Sequence, residues 1–149
     1  MRRSAHFVSV GCALSVVLTC GVMWGQNAAR AASSGAGAVE RGRYIVEGVA
    51  RCGQCHTPND EHGVPDRSHW LDGAAVWLEP ANRAADWPLK APRIAGTLPG
   101  TDDEMVTLLT TGIWRDGKRL RPPMPQFRMN REDAHAVVAY LRSLTPGPQ

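Results

Sequence analysis

The pentapeptide Cys52-Gly53-Gln54-Cys55-His56 constrains the fold of this chain more than any other feature of its sequence. Two thiols three residues apart lie on the same side of a helical turn, and an imidazole follows the second thiol directly. The remaining two cysteines, Cys12 and Cys20, fall in an apolar N-terminal run. The sequence therefore predicts no disulfide framework, and the chemistry of the motif has to be explained by the motif itself.

The spacing C-x-x-C-H is typical of covalent haem attachment, in which both thiols bond to one edge of a haem and the histidine binds the iron from one side. A structural zinc site would need two more ligands, and His62 and His69 are the nearest candidates. A thioredoxin-like redox pair would follow a buried strand, whereas this motif ends a predicted amphipathic helix. A disulfide between Cys52 and Cys55 would leave His56 without a role. Haem attachment is the interpretation we adopt.

Hydrophobic spacing predicts three helices, of which the first covers about residues 39–52. Its apolar face consists of Ile45, Val49 and Cys52. Gly42 has no side chain and would allow another helix to approach closely. The first helix is therefore expected to lead directly into the C-x-x-C-H motif.

The other two predicted helices have recognisable N-terminal caps. The second begins at Thr101, which forms a capping box with Glu104. The third begins after Asn130, a suitable N-cap residue. The predicted apolar positions of the two helices are Met105, Leu108, Leu109, Ala134, Val137, Val138, Leu141 and Leu144.

The segment between the first two helices, residues 57–100, is rich in Pro, Gly, Asp and Asn and has no helical period. A segment of this length without regular structure is uncommon in a compact domain unless it is functional or disordered. Trp70, Trp77 and Trp87 argue against disorder. A large, flat, apolar cofactor would give these aromatic side chains a surface on which to pack.

Met124 is the predicted second ligand of the iron. It lies in the sequence Arg121-Pro122-Pro123-Met124-Pro125, 68 residues after His56. The prolines fix the backbone φ and remove backbone donors, so this segment is a stiff loop that suits a weak thioether ligand. A thioether opposite an imidazole raises the reduction potential and fills the coordination position that catalysis would need.

The other methionines and histidines are less suitable ligands. Met105 falls on the apolar face of the second helix, and Met129 directly precedes a helix cap, so both fit better as packing residues. His62 and His69 follow the motif too closely to reach the opposite face of a haem without a tight wrap. His135 is predicted to lie at the solvent edge of the third helix.

Residues 1–31 are predicted to be an export signal, because a positively charged start and an uncharged apolar run precede the cleavage site Ala29-Arg30-Ala31. The alternative is an uncleaved membrane anchor, since the apolar run is close to the ~20 residues that span a bilayer. Residues 32–38 are predicted to be a flexible linker and residues 39–146 the folded domain. Both alternatives place that domain in the periplasm, either free or associated with the membrane.

Charge gives no reason to expect nucleic-acid binding. The formal net charge of +3 includes Arg2, Arg3 and Arg30, and without them 14 basic residues balance 14 acidic ones. A domain with no net charge has no electrostatic attraction for a polyanion as a whole.

With the C-x-x-C-H motif, Met124 between prolines and a C-terminal helix, the sequence resembles class I c-type cytochromes. The resemblance covers residues 41–56, 91–96 and 121–144. The stretches RGRYIVEGVARCGQCHTP and MPQFRMNREDAHAVVAYLRSL are similar to haem domains in cytochrome subunits of bacterial periplasmic alcohol and sugar dehydrogenases. The resemblance implies an all-α, small cytochrome c fold, with three main helices plus long irregular loops wrapped around one covalently bound haem c and its iron. It also implies that the first and last helices cross.

For the haem site, the resemblance implies that Cys52 and Cys55 are covalently attached and that a carbonyl in the first loop accepts a hydrogen bond from Nδ1 of His56. Pro58 and Pro65 are the candidates for this carbonyl, and the sequence does not decide between them.

The Trp-rich insertion between Arg67 and Leu89 departs from the family pattern. Its length prevents a residue-by-residue assignment of the contacts to the haem propionates. Arg93, Trp87 and Trp114 are the candidates for those contacts.

The predicted function is single-electron transfer between redox proteins, with a dehydrogenase as donor or an oxidase as acceptor, and without independent catalysis. The basic segment Arg115–Arg121, next to Met124, either docks an acidic partner or forms a solvated turn around Asp116-Gly117. Two alternatives remain. The chain is either a haem subunit fixed in a dehydrogenase or oxidase complex, or a haem sensor or enzyme with a displaceable Met124.

Overall fold

The computed structural model describes residues 35–80 and 87–147. The described residues from Ala36 onward belong to one compact unit. The predicted export signal, residues 1–31, lies outside the described residues, so export and the domain boundary stay predictions. Within the described part of the chain, no helix is both long and apolar enough to cross a membrane.

The first helix, α1, occupies residues 35–44 and widens into a π turn at Ile45–Val49. The N–H that follows the π turn donates to the carbonyl of its first residue at 2.7 Å. Arg51 then adopts a φ of 52°, which ends the helical path. Cys52 instead precedes a separate one-turn helix, α2 (Gly53–His56). The prediction that the first helix continues to Cys52 was therefore wrong.

The π turn also changes which side of the chain is buried. Ile45 and Val46 are buried, whereas Val49 is 61% exposed. A π turn adds a residue to the helical repeat, so the apolar face rotates by one position relative to an α-helix. The predicted face was right at Ile45 and wrong at Val49.

The first helix crosses the last helix, α4 (Arg131–Ser143), at Gly42. A Cβ atom on Gly42 would overlap the backbone carbonyl of Ala136 and the Cβ of Tyr140. Tyr140 is buried beside this crossing, and its hydroxyl donates to Oε1 of Glu47 at 2.7 Å. The predicted crossing of the first and last helices is confirmed.

Both predicted caps are confirmed. The helix α3 covers Asp102–Thr111, where the Thr101 side chain accepts from the Glu104 N–H and the Glu104 carboxylate accepts from the Thr101 N–H. The Asn130 side chain caps α4 by accepting from the Asp133 N–H at 2.8 Å. The α3 and α4 side chains that form most of the core are Met105, Val106, Leu108, Leu109, Ala134, Val137, Val138, Tyr140 and Leu141.

The described residues of the segment 57–100, which are 57–80 and 87–100, hold little regular structure. They contain a 3-10 turn at Arg67–His69 and a short antiparallel ladder in which strand β1 (Ala74–Ala75) pairs with strand β2 (Lys90–Ala91). The described residues therefore form a mostly helical domain with one small ladder. The predicted all-α class is confirmed.

Buried hydrogen bonds around Leu71, Thr57 and Ile94, here called the buried seam, hold this segment against the chain that follows α2. Leu71 has no exposed surface and adopts a φ of 60°, which is unusual for a residue other than glycine. Its N–H donates to Oγ1 of Thr57 at 2.9 Å, and its carbonyl accepts from the Ile94 N–H at 2.9 Å. The seam brings residues near position 92 back to the C-x-x-C-H motif.

Candidate haem site

Three of the predicted site residues lie on or beside α2. Cys52 precedes its first turn, and Cys55 and His56 end it. Both cysteines are half-buried and carry free thiols. Burial raises the pKa of the Cys52 thiol to about 11, so this thiol stays protonated at neutral pH. The two sulfurs are three residues apart in the chain, and neither forms a disulfide bond.

His56 is held in one orientation. Its side chain is buried, and Nδ1 donates to the carbonyl oxygen of Pro92 at 2.8 Å. Because a carbonyl can only accept, Nδ1 carries a proton, and in the neutral ring Nε2 therefore keeps its lone pair. Burial lowers the pKa of the imidazole, and the Pro92 carbonyl opposes this shift in part. A neutral imidazole with a free Nε2 is the form that binds iron.

The acceptor of this hydrogen bond differs from both candidates proposed from the sequence. Pro58 uses its carbonyl to accept from the Asp66 N–H at 2.8 Å, and Pro65 pairs with Asn59 in an isolated bridge. Both candidates, Pro58 and Pro65, were wrong, because the acceptor was sought only in the loop that follows the motif. The buried seam at Leu71 brings the more distant Pro92 into place instead.

Trp70 packs directly on the motif, a contact that was not predicted from the sequence. A Cβ atom on Gly53 would overlap the Trp70 indole, so only glycine fits at this position. The Arg67 guanidinium lies 3.8 Å from the centroid of the indole ring and donates to Glu47 at 3.2 Å. Burial is the main cause that raises the pKa of the Tyr140 hydroxyl to about 12, and Glu47 adds to this increase. The nearby Trp70 N–H acts in the opposite direction and lowers the pKa. That N–H is buried without a well-formed hydrogen bond.

The segment that carries Met124 is irregular, and Met124 itself is half-buried. The end of α3 anchors this segment, because Gly112 adopts a φ of 71° and a Cβ atom there would press on the Arg128 guanidinium. The Met129 N–H also donates to the Leu109 carbonyl at 3.1 Å. The stiff loop predicted around Met124 therefore has a fixed point of attachment at its far side.

A groove of about 320 Å³ lies between the π turn and the residues after Met124. Val49 and Ala50, which shortly precede the motif, line one side of the groove, and Phe127 and Arg128 line the other. The chain on the N-terminal side of Cys52 and the chain on the C-terminal side of Met124 thus lie next to each other.

Two of the three candidates for propionate contacts already have partners within the chain. Nε of Arg93 lies 3.1 Å from Oδ1 of Asp72, and the Trp87 indole N–H donates to the Leu78 carbonyl at 2.8 Å. Trp114 is half-buried against the core. Contacts from these three residues to propionates stay a prediction.

The basic segment 115–121 begins with an exposed tight turn at residues 115–117. The Gly117 N–H donates to the Trp114 carbonyl at 2.9 Å, and the Lys118 N–H donates to the Asp116 carboxylate at 3.0 Å. The turn predicted around Asp116-Gly117 is present. A role of this segment in docking a partner stays a prediction.

The arrangement fits a c-type haem. Two free thiols on one turn, followed by a buried neutral imidazole with a free Nε2, match the attachment groups and the axial ligand that such a haem requires. The imidazole and the proposed thioether are borderline and soft ligands, respectively, and do not suit a hard cation. The described residues include no cluster of three or more His, Cys, Asp or Glu side chains that could hold a bare metal ion. Cys52, Cys55 and His56 are the residues that would hold the haem.

The profile of the Cytochrome c family matches residues 39–145, which is more than half of the chain. The chain belongs to the cytochrome c family. Cytochrome c domains bind haem c covalently and carry electrons through its iron. The function of this cytochrome domain is therefore electron transfer.

Comparisons with individual proteins agree with this assignment. A diheme cytochrome c-type protein of Cereibacter sphaeroides is 33% identical over 109 residues, covering 69% of this chain and 34% of that protein. The fructose dehydrogenase cytochrome subunit of Gluconobacter japonicus is 30% identical over 109 residues, covering 70% of this chain and 21% of that protein. The alcohol dehydrogenase (quinone), cytochrome c subunit of Gluconacetobacter polyoxogenes is 28% identical over 128 residues, covering 74% of this chain and 25% of that protein. The chain spans about a third or less of the length of these relatives.

Proposed function

We propose that this cytochrome is a periplasmic carrier that shuttles single electrons through one haem c. The haem is bonded to Cys52 and Cys55 and ligated by His56 and Met124. The hydrogen bond from His56 to the Pro92 carbonyl carries the proposal, because it leaves Nε2 of a neutral imidazole free beside two free thiols. The bound haem supplies reversible one-electron chemistry at its iron.

The residues of the chain orient the ligand and exclude water from it. The Pro92 carbonyl prevents rotation of the His56 ring and increases the basicity of its Nε2. Leu71 and Ile94 close the apolar seam next to this hydrogen bond. A ligand held in this way moves little when the iron changes its oxidation state, which suits a carrier.

Met124 is supported as the second ligand by its half-buried position in a loop with prolines on both sides. Across the groove, Val49 and Ala50 face Phe127 and Arg128, so the chain before Cys52 lies beside the chain after Met124. The alternative ligands are less well placed. The His62 side chain is 77% exposed, and Nδ1 of His69 lies 3.5 Å from the Asp72 carboxylate.

Absorption spectra of the matured protein test this proposal. We expect one haem per chain by pyridine haemochrome assay, a low-spin six-coordinate spectrum and a thioether–iron charge-transfer band in the oxidised form. The reduced protein should not bind CO, because both axial positions are filled. A spectrum that changes on addition of CO would contradict the carrier and favour a sensor or enzyme with a displaceable ligand.

A haem subunit fixed in an oxidoreductase complex is the second candidate function. Trp77 and Leu89, which flank the ladder of β1 and β2, are 62% and 83% exposed. Exposed apolar side chains that lie next to each other can mark an interface with a partner. Two of the relatives carry the names of dehydrogenase cytochrome subunits, which supports the same candidate.

Gel filtration distinguishes the two candidates. When an extract of the native host is separated by gel filtration, a carrier is expected to elute as a monomer at low and at high salt, because its contacts with partners are transient. A fixed subunit would stay in a larger assembly at high salt, since apolar contacts are not screened by ions. Elution in such an assembly would contradict the shuttle.

A further inference from the structure

Asp72 and Arg93 form a buried ion pair next to the haem site. Nε of Arg93 lies 3.1 Å from Oδ1 of Asp72, and the two side chains are 21% and 7% exposed, respectively. The Gly147 N–H donates to the same Oδ1 at 3.2 Å, and Nη2 of Arg93 donates to the Gly147 carbonyl at 3.5 Å. The segment after α4 therefore lies against the pair and helps to bury the Asp72 carboxylate.

Each member of the pair is adjacent in sequence to a group that bonds to His56. Next to Asp72, the Gly73 N–H donates to the His56 carbonyl at 2.8 Å. Next to Arg93, the Pro92 carbonyl accepts from Nδ1 of His56 at 2.8 Å. The two segments lie so close together that a Cβ atom on Gly73 would come within 2.8 Å of the backbone nitrogen of Arg93. The ion pair thus joins the two backbone segments that hold the histidine.

The second carboxylate oxygen of Asp72 is incompletely satisfied. Oδ2 is buried without a hydrogen-bond partner, and Nδ1 of His69 lies 3.5 Å away. A buried carboxylate in this state costs stability, and a buried ion pair seldom repays the loss of hydration in full. Stability alone is therefore a weak explanation for the pair, whereas the geometry that it imposes on its neighbours is a better one.

We propose that Asp72 and Arg93 are positioning residues that set the hydrogen bond between His56 and Pro92, and through it the reduction potential of the haem. This inference rests on the proposed function, because it takes His56 as the iron ligand. A tight hydrogen bond to a carbonyl increases electron donation from the imidazole and favours the oxidised iron. It also gives Arg93 a role through Asp72 in place of a contact to a propionate.

The test compares two variants of the holoprotein with a control. Asp72→Asn keeps the size of the side chain, and the double variant Asp72→Asn/Arg93→Gln removes one charge of each sign. The double variant therefore changes the Coulomb field at the iron little. The control is Asp102→Asn, which breaks the Arg142–Asp102 ion pair (2.9 Å) between α3 and α4.

We expect the His56 Nδ1 proton of the reduced protein to exchange with solvent about tenfold faster in both variants, because local opening becomes easier. The potential of the double variant should rise, since a weaker hydrogen bond makes the imidazole a poorer donor. The control should keep the wild-type exchange rate and potential. If the double variant does not mature, the exchange rate of Asp72→Asn decides the question.

Wild-type proton exchange in Asp72→Asn, or an unchanged potential in the double variant, would overturn the positioning role. That result would leave the proposed function intact as long as the wild-type protein shows a low-spin haem. A wild-type protein without a histidine-ligated haem would contradict the proposed function and this inference together. The two failures are therefore distinguishable from the wild-type spectrum.

Discussion

Replacing Gly42 by valine is expected to lower the free energy of unfolding of the holoprotein by about 3 kcal/mol or more, at the upper end of the cost of overpacking a core. The reason is the crossing of α1 and α4, where a Cβ atom on Gly42 would overlap the Ala136 carbonyl and the Cβ of Tyr140. A backbone carbonyl in a helix cannot move aside as a side chain can. The two helices must therefore separate, which weakens the core around Val46 and Val137.

Urea unfolding of the matured protein, followed by circular dichroism, measures this effect. Gly42→Ala is the milder variant if the valine protein does not mature, and it should still be destabilised because the overlap begins at Cβ. Gly48→Ala is the matched control, since a Cβ atom there meets only the Tyr44 ring at 3.8 Å. The control should unfold like the wild type or be more stable by up to about 1 kcal/mol, as alanine restricts the unfolded chain. Equal stability of Gly42→Val and the wild type would contradict the crossing.

The parts of the fold that could be predicted from the sequence depend on local chemistry. The capping box of Thr101 and Glu104 and the N-cap of Asn130 involve residues within one turn of each other, so their side chains identify the helix starts directly. Gly42 marked the helix crossing because only a missing side chain permits such a close approach. The C-x-x-C-H motif is equally local.

The errors had two sources, which are contacts between residues far apart in the chain and one local irregularity of a helix. His56 and its acceptor Pro92 are 36 residues apart, and nothing in the local sequence distinguishes this carbonyl from those of Pro58 and Pro65. The π turn that exposes Val49 was also missed, because a hydrophobic repeat does not reveal an extra residue within one helical turn.

Two further contacts around the motif were missed because they join residues distant in the chain. Packing of Trp70 on the cofactor stays a prediction, whereas the contact of its indole with Gly53 was not predicted. The pairing of Arg93 with Asp72 spans 21 residues of irregular chain, so the sequence offered no spacing rule for it. The glycine at position 53 was the one available signal, since a bulky neighbour would require it.

Replacing Met124 by leucine is expected to abolish the thioether–iron charge-transfer band and allow the reduced protein to bind CO. The change conserves most of the side-chain volume and removes the sulfur, so the loop should stay folded. The reduction potential should fall by about 0.1 to 0.3 V, because loss of the thioether removes a ligand that favours the reduced iron and axial ligands shift haem potentials over about 0.8 V. Spectra and redox titration of the holoprotein measure all three effects.

Two methionine variants make this result specific. Met105→Leu changes a buried core residue of α3, and Met129→Leu changes a half-buried residue that packs against the core. Both should keep the charge-transfer band and remain inert to CO, since neither side chain is a proposed ligand. If one of them loses the band while Met124→Leu keeps it, that methionine is the ligand and the loop between the prolines has another role. If all three variants keep a six-coordinate, CO-inert haem, the second ligand is not a thioether. His62 and His69 would then have to be tested, and a bis-histidine haem would carry electrons at a lower potential than the His/Met pair.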